Sequence, residues 1–265
     1  MDGPGATVAL DPGLTGQEAR PVDGVDNGYL TGYRVRFDEA GPDGLVRAST
    51  LLRYAQDVAW RHSEHLGFDR GWYQGRGVGW VVRGLDLELL KPIPMGDTLR
   101  VSTAVVGHRR IWARRLGHCG LGDGSLAARI TTDWVLLDSR NRIVRIPADF
   151  GLAFTNPEIR SEIVRVPPPD GTPVRTLDVR VRVSELDPLD HVNNAVYVDW
   201  LDETLVATGW TAAIALPRRI RIEYLASAER DDDVTVELYG DAARWAAVIR
   251  RSDGLELVRA SGENA

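Results

Sequence analysis

A duplication constrains this chain more than any single motif does. The run YRVRFDEAGPDGLV, starting at Tyr33, aligns without gaps with VRVRVSELDPLDHV, starting at Val179. Arg34 meets Arg180, Val35 meets Val181, Glu39 meets Glu185, Pro42 meets Pro188 and Val46 meets Val192. Further on, LELLKPIPMGDTLRV from Leu87 parallels IEYLASAERDDDVTV from Ile222, with Glu88 on Glu223, Asp97 on Asp232 and Val101 on Val236. Two copies of one unit within 265 residues are expected to pack against each other.

Within each copy the hydrophobic period changes in the same order. A short strand and a turn lead into a helical pattern. Its apolar face is Leu51, Leu52, Ala55, Val58 and Ala59 in the first copy. In the second it is Val196, Tyr197, Trp200, Leu201, Thr204 and Leu205. Alternating, β-branched runs follow: LRVSTAVVGH, RIWARRLGHC and LAARITTDWVLLD, then DVTVELYG, ARWAAVIRRS and LELVRASGE. A lone amphipathic helix buries its apolar face best inside a curved antiparallel sheet, which is the hotdog arrangement. The expected class is therefore α+β, a tandem (double) hotdog. Its predicted parts are a Gly-, Pro- and Asp-rich mobile tail over 1–29, a first repeat over 30–156, a Pro-rich linker over 157–175 and a second repeat over 176–263.

Composition removes several classes of function. A formal net charge of −6 argues against a general nucleic-acid role. The single cysteine, Cys119, allows no intrachain disulfide and no multi-cysteine metal site. No apolar run is long enough to span a bilayer. Residues 1–27 lack a basic start and an apolar stretch, so a cytoplasmic location is expected. His62 and His65 share one helix face, but no third ligand stands near them in the sequence, so no metal is expected. Adjacent arginines at 109–110, 114–115 and 218–219, with Arg221, could offer an acidic carrier protein a docking surface, or could simply be solvated.

The chemistry-bearing run is DPLDHVNNAVY, Asp187 to Tyr197, directly before the second helix. Helix-start N–H groups lack intrahelical partners and carry partial positive charge, so an oxyanion could be stabilised there. Asp187 could activate water or attack a carbonyl, or could only brace its turn. His191 could orient that carboxylate or hold water, or could bond to backbone. Asn193 and Asn194 read as helix caps with amides that could also serve an oxyanion. The first copy has Gly41 and Leu45 where the second has Asp187 and His191, so any active site should be single and anchored on the second copy, with walls from the first.

HVNNxxY, here His191 to Tyr197, together with IEYLASA and the first-half run GWVVRGLDLELLKPIPMGDTLRVST, resembles the fatty acyl-acyl carrier protein thioesterases over roughly Tyr29 to Glu263. The resemblance implies hydrolysis of the thioester between a fatty acyl chain and the phosphopantetheine arm of acyl carrier protein, without metal or cofactor. That family places Asp, Asn and His at alternate positions, which here are Asp187, Leu189 and His191; plant members have Glu-Cys where this chain has Ser227 and Ala228. Asp187 followed by Pro188 also resembles the hydroxybenzoyl-CoA-type thioesterases. The resemblance thus implies Asp187 as base or nucleophile, His191 as its orienter, amides from about His191 to Asn194 as oxyanion donors, and a pocket by Leu189, Ser227, Tyr197 and Trp200 with its tunnel along the second helix. Acyl-CoA could replace acyl-ACP as substrate, tandem chains could pair as a homodimer, and the substitution at Leu189 leaves open a protein that binds acyl groups or carrier without cleaving them.

Overall fold

The computed structural model describes residues 28–154 and 161–264. The tail expected over 1–29 falls outside them except at its end, where Tyr29 opens the first strand and is buried. In the first repeat, β1 (Tyr29–Arg34) leads through a short 3-10 turn into α1 (Ala48–His65) and α2 (Arg70–Arg76). Four strands follow: β2 (Val78–Leu89), β3 (Thr98–His108), β4 (Trp112–Gly120) and β5 (Leu126–Asp138), and then α3 (Ala148–Ala153). The second repeat has β6 (Arg175–Arg180), α4 (Asn194–Ala207), β7 (Arg218–Tyr224), β8 (Asp233–Gly240), β9 (Arg244–Arg251) and β10 (Glu256–Asn264).

All ten strands form one antiparallel sheet in the order β1-β3-β4-β5-β2-β7-β10-β9-β8-β6. Read from either edge inward, the order is that of one repeat. The repeats therefore meet edge to edge at β2 and β7, with Leu85 opposite Ile222 and Leu87 opposite Ile220. All four of these side chains are at most 1% exposed. Each such apolar side chain contributes on the order of 1.5–3 kcal/mol on burial, and joining two sheets also removes two open strand edges.

The helices α1 and α4 lie side by side within the curl of the sheet. The two-fold relation of the repeats brings Arg53 to Asp199, its own counterpart, in an ion pair of 2.9 Å. Each helix is fastened to the turn before it in the same way. Glu39 accepts from the Arg36 N–H and the Tyr54 hydroxyl, while Glu185 accepts from the Arg182 N–H and the Trp200 indole. The short helices α2 and α3 belong to the first repeat alone. They close one end of it with an aromatic cluster of Phe68, Tyr73, Phe150 and Phe154.

The chain between the repeats crosses the outer face of the seam. Asp133, Gly84 and Glu223 stand opposite one another on β5, β2 and β7. The two carboxylates are 0% and 4% exposed. Asp133 accepts the Val164 N–H at 2.7 Å and Glu223 the Val166 N–H at 3.1 Å. Each also holds an arginine: Arg114 on Asp133 through two bonds of 2.7 and 2.8 Å, and Arg165 on Glu223. Gly84 leaves the groove between them that Val164 occupies. Residues 163–166 thus act as a strap across both repeats.

Candidate active site

The turn before α4 and the turn before α1 have the same backbone. Asp187 N–H donates to His191 O at 2.8 Å, as Gly41 N–H donates to Leu45 O at 2.8 Å. Asp190 and Gly44 both take positive φ, 61° and 76°. Side chains, not backbone, distinguish the copies. In the second, Asp187 Oδ1 accepts the N–H of Leu189 at 2.8 Å and of His191 at 3.4 Å, which braces the turn. Its Oδ2 has no hydrogen bond among the described residues. His191 is half-buried and pairs by backbone with Glu229.

At the start of α4, Asn193 caps the helix by accepting the Ala195 N–H at 2.9 Å. Its Nδ2 donates across the repeats to Gln56 Oε1 on α1, at 3.1 Å. Asn194 follows; its carbonyl accepts the Tyr224 hydroxyl at 3.0 Å, and its own N–H has no acceptor among the described residues. Burial raises the pKa of the Tyr224 phenol well above the ordinary tyrosine range, so it stays a donor.

Asn194, Gln56 and Tyr224 form the polar part of a narrow cleft between the repeats, whose cavity volume is about 20 Å³. Leu52 and Ala55 of α1, Val82 and Leu85 of β2, and Thr132 and Trp134 of β5 complete it. The position related to Gln56 by the repeat is Asp202. There the carboxylate is closed off by a bidentate pair with the buried Arg218, at 2.7 and 2.8 Å. The cleft at Gln56 is walled mainly by the first copy.

Several expected pocket residues lie elsewhere. Tyr197 and Trp200 are 1% and 2% exposed and belong to the packed core of the second repeat. The Tyr197 hydroxyl accepts the Ala228 N–H at 2.8 Å, and Trp200 is committed to Glu185. A tunnel along α4 past these two is thus corrected to a cleft along α1, because their rings fill the space beside α4. Leu189 is 54% exposed on the outside of its turn, and Ser227 does not border the cleft. Asp187 and His191 do not border it either. Gln56 escaped the sequence reading. Its only signal was a polar side chain beside the apolar face of α1, repeated at Asp202.

The arginines read as a carrier surface are largely spent on local pairs. Arg114, Arg218 and Arg219 grip Asp133, Asp202 and Asp86, and Arg115 points inward and is buried. Arg109 and Arg110 border a separate basic pocket with His108 and Arg145. Among the described residues no group of three or more His, Cys, Asp or Glu side chains is placed to hold a metal, and no helix is long and apolar enough to cross a membrane. Cys119 is buried, and burial pushes its thiol up to about 12.

A ten-stranded antiparallel sheet curled around two helices, built from duplicated halves, defines a tandem hotdog protein. Two solved structures share this fold closely. A 12:0-ACP thioesterase from Umbellularia californica has a TM-score of 0.75 at 22% identity, covering 89% of this chain and 96% of that one. An acyl-ACP thioesterase from Bacteroides thetaiotaomicron has a TM-score of 0.76 at 16% identity, covering 89% and 97%. The acyl-ACP thioesterase N-terminal domain matches residues 26–153 and the acyl-ACP thioesterase C-terminal domain residues 172–262. The chain belongs to the acyl-ACP thioesterase family. It is 26% identical over 201 residues to oleoyl-acyl carrier protein thioesterase 2 of Arabidopsis thaliana, covering 67% of this chain and 54% of that protein. An acyl-[acyl-carrier-protein] hydrolase of Cuphea viscosissima is 23% identical over 264 residues, covering 89% and 62%. The chain spans about half the length of the first of these relatives.

Proposed function

We propose that this chain hydrolyses the thioester of a fatty acyl group carried on acyl carrier protein, releasing the free acid. The observation that carries this reading is the inter-repeat cleft, polar at the start of α4 and apolar along α1. The thioester carbonyl sits at the amino end of α4, where the Asn194 N–H and the helix dipole favour the oxyanion. The acyl chain runs into the first repeat. Water attacks the carbonyl carbon, the C–S bond breaks, and the proton lost by water ends on the departing thiolate. Asp187 serves as base through its unengaged Oδ2, with His191 beside it and a water between the carboxylate and the cleft. Its place outside the cleft favours this role over direct nucleophilic attack. Gln56, linked to Asn193, orients the water or the thioester.

Thiol release from acyl-ACP over a series of chain lengths tests the proposal. Asp187→Ala is expected to lower kcat at least about 100-fold, the effect of losing a general base, and acyl-CoA to turn over more slowly than acyl-ACP. Unchanged turnover in Asp187→Ala would refute the assignment of the base. Leu189 supports a second reading. At the position where the resembled family has Asn, its side chain offers no hydrogen bond and faces solvent. Measurable acyl-ACP binding with no release at any chain length would favour a carrier-binding protein.

A further inference from the structure

The interior of the first repeat holds an arginine at a position where the second repeat has an apolar ring. Arg115 on β4 lies between the sheet and α1 and is 8% exposed. Its Nη1 is 2.9 Å from His62 Nδ1 and 3.4 Å from Thr103 Oγ1, and no carboxylate among the described residues pairs with it. Burial lowers its pKa to about 10, so it remains a cation at neutral pH. A buried charge without a counter-charge is strongly destabilising, and its retention calls for a compensating partner.

The register shows where such a partner would come from. Arg115 stands directly opposite Thr132, and Thr132 borders the cleft together with Trp134, whose indole donates to the Thr132 hydroxyl at 2.7 Å. Arg115, on β4, is thus the cross-strand neighbour of a β5 residue that borders the cleft. The second repeat offers a control. Cys119 pairs with Val101 and Ala128, and its counterpart Ile249 pairs with Val236 and Val258. Four residues earlier, Arg115 corresponds to Trp245, and Thr132 to Gly262, the partner of Trp245. Trp245 is 2% exposed, and a Cβ on Gly262 would come within 2.3 Å of its ring. The second repeat is plugged with indole where the first places a guanidinium one residue behind the lining of a narrow cleft.

We propose that Arg115 is a specificity residue that receives an acyl chain bearing a carboxylate at its distal end, with Thr103 and His62 flanking the anion. The proposal rests on the cleft being the acyl site, as in the hydrolase reading above, but its test does not need turnover. Binding of the full chain to S-alkyl-CoA thioethers, which cannot be hydrolysed, is compared with binding to their ω-carboxy counterparts over a series of equal chain lengths. Wild type should prefer the ω-carboxy ligand by at least about tenfold at its best length, as a charge-assisted hydrogen bond implies. Arg115→Met should reverse that preference, and Arg115→Lys should keep part of it. Preference of wild type for the plain ligand, no binding of either ligand, or the same preference in a folded Arg115→Met variant would overturn the proposal. If Arg115→Met does not fold, the wild-type preference and the Lys variant decide. Thiol release from ordinary and from ω-carboxyacyl-ACP is measured in parallel: no release from either, with the ω-carboxy preference intact, would sink the hydrolase reading and leave this one standing.

Discussion

Replacing Gly84 with alanine should loosen the strap that joins the repeats. A Cβ at Gly84 would lie 2.8 Å from Val164 Cβ, 3.2 Å from its carbonyl oxygen and 3.3 Å from its nitrogen. Ordinary contact begins near 3.4 Å, so the strap would have to lift by roughly 0.6 Å at Val164. Overpacking of this kind costs about 1–3 kcal/mol. Lifting also stretches the bonds from Val164 and Val166 to two buried carboxylates, and a hydrogen bond to a charged group contributes about 1.5–3 kcal/mol when well made. These effects overlap, so the expected loss is about 2–4 kcal/mol, or a fall in Tm of about 4–16 °C for a chain of this size. Thermal and urea unfolding followed by circular dichroism measure it. Trypsin cleavage after Arg165, whose side chain is already 67% exposed in the strap, reports the local opening. Gly75→Ala in α2 is the control, since a Cβ there meets nothing within 4 Å; it should be neutral or stabilising by up to about 1 kcal/mol. A Gly84→Ala protein within about 0.5 kcal/mol of wild type, with Arg165 cut no faster, would refute the account of the strap.

Asn193→Ala removes both a helix cap and the link to Gln56. It should cost about 0.5–2 kcal/mol in unfolding free energy and lower kcat more than Tm, because Gln56 then loses its orienting partner; a variant with wild-type turnover would deny Gln56 that role. The Cys119 thiol is raised by burial from 9.0 to about 12, so it stays neutral in the folded chain while the unfolded chain ionises. Its contribution to stability is therefore intact below pH 9 and falls between pH 9 and 12, and a thiol reagent at pH 8 should label it only at the rate of global unfolding. Trp245→Ala should cost about 3–5 kcal/mol by leaving a cavity in the second repeat, measured by urea unfolding, whereas a loss below about 1 kcal/mol would mean that the second repeat is not solidly filled.

Duplication, helical period and strand alternation are local properties of the chain, and they were legible without coordinates. So was the placement of His191, Asn193 and Asn194 at a helix start, because caps and turn residues act within a few positions of one another. The side on which the cleft opens was not legible. It depends on rings such as Tyr197, Trp200 and Trp245 filling one repeat while smaller or polar side chains leave room in the other. Gln56 meets Asn193 across 137 residues, and no local pattern carries that information. Strand alternation shows that one of Arg114 and Arg115 must face inward, but only packing gives Arg114 a carboxylate and leaves Arg115 without one among the described residues. The sequence by itself determined two hotdog repeats and the position of a polar helix start. The tertiary structure alone decided what that helix start faces, because burial and charge pairing are settled by residues that meet only when the sheet closes around both helices.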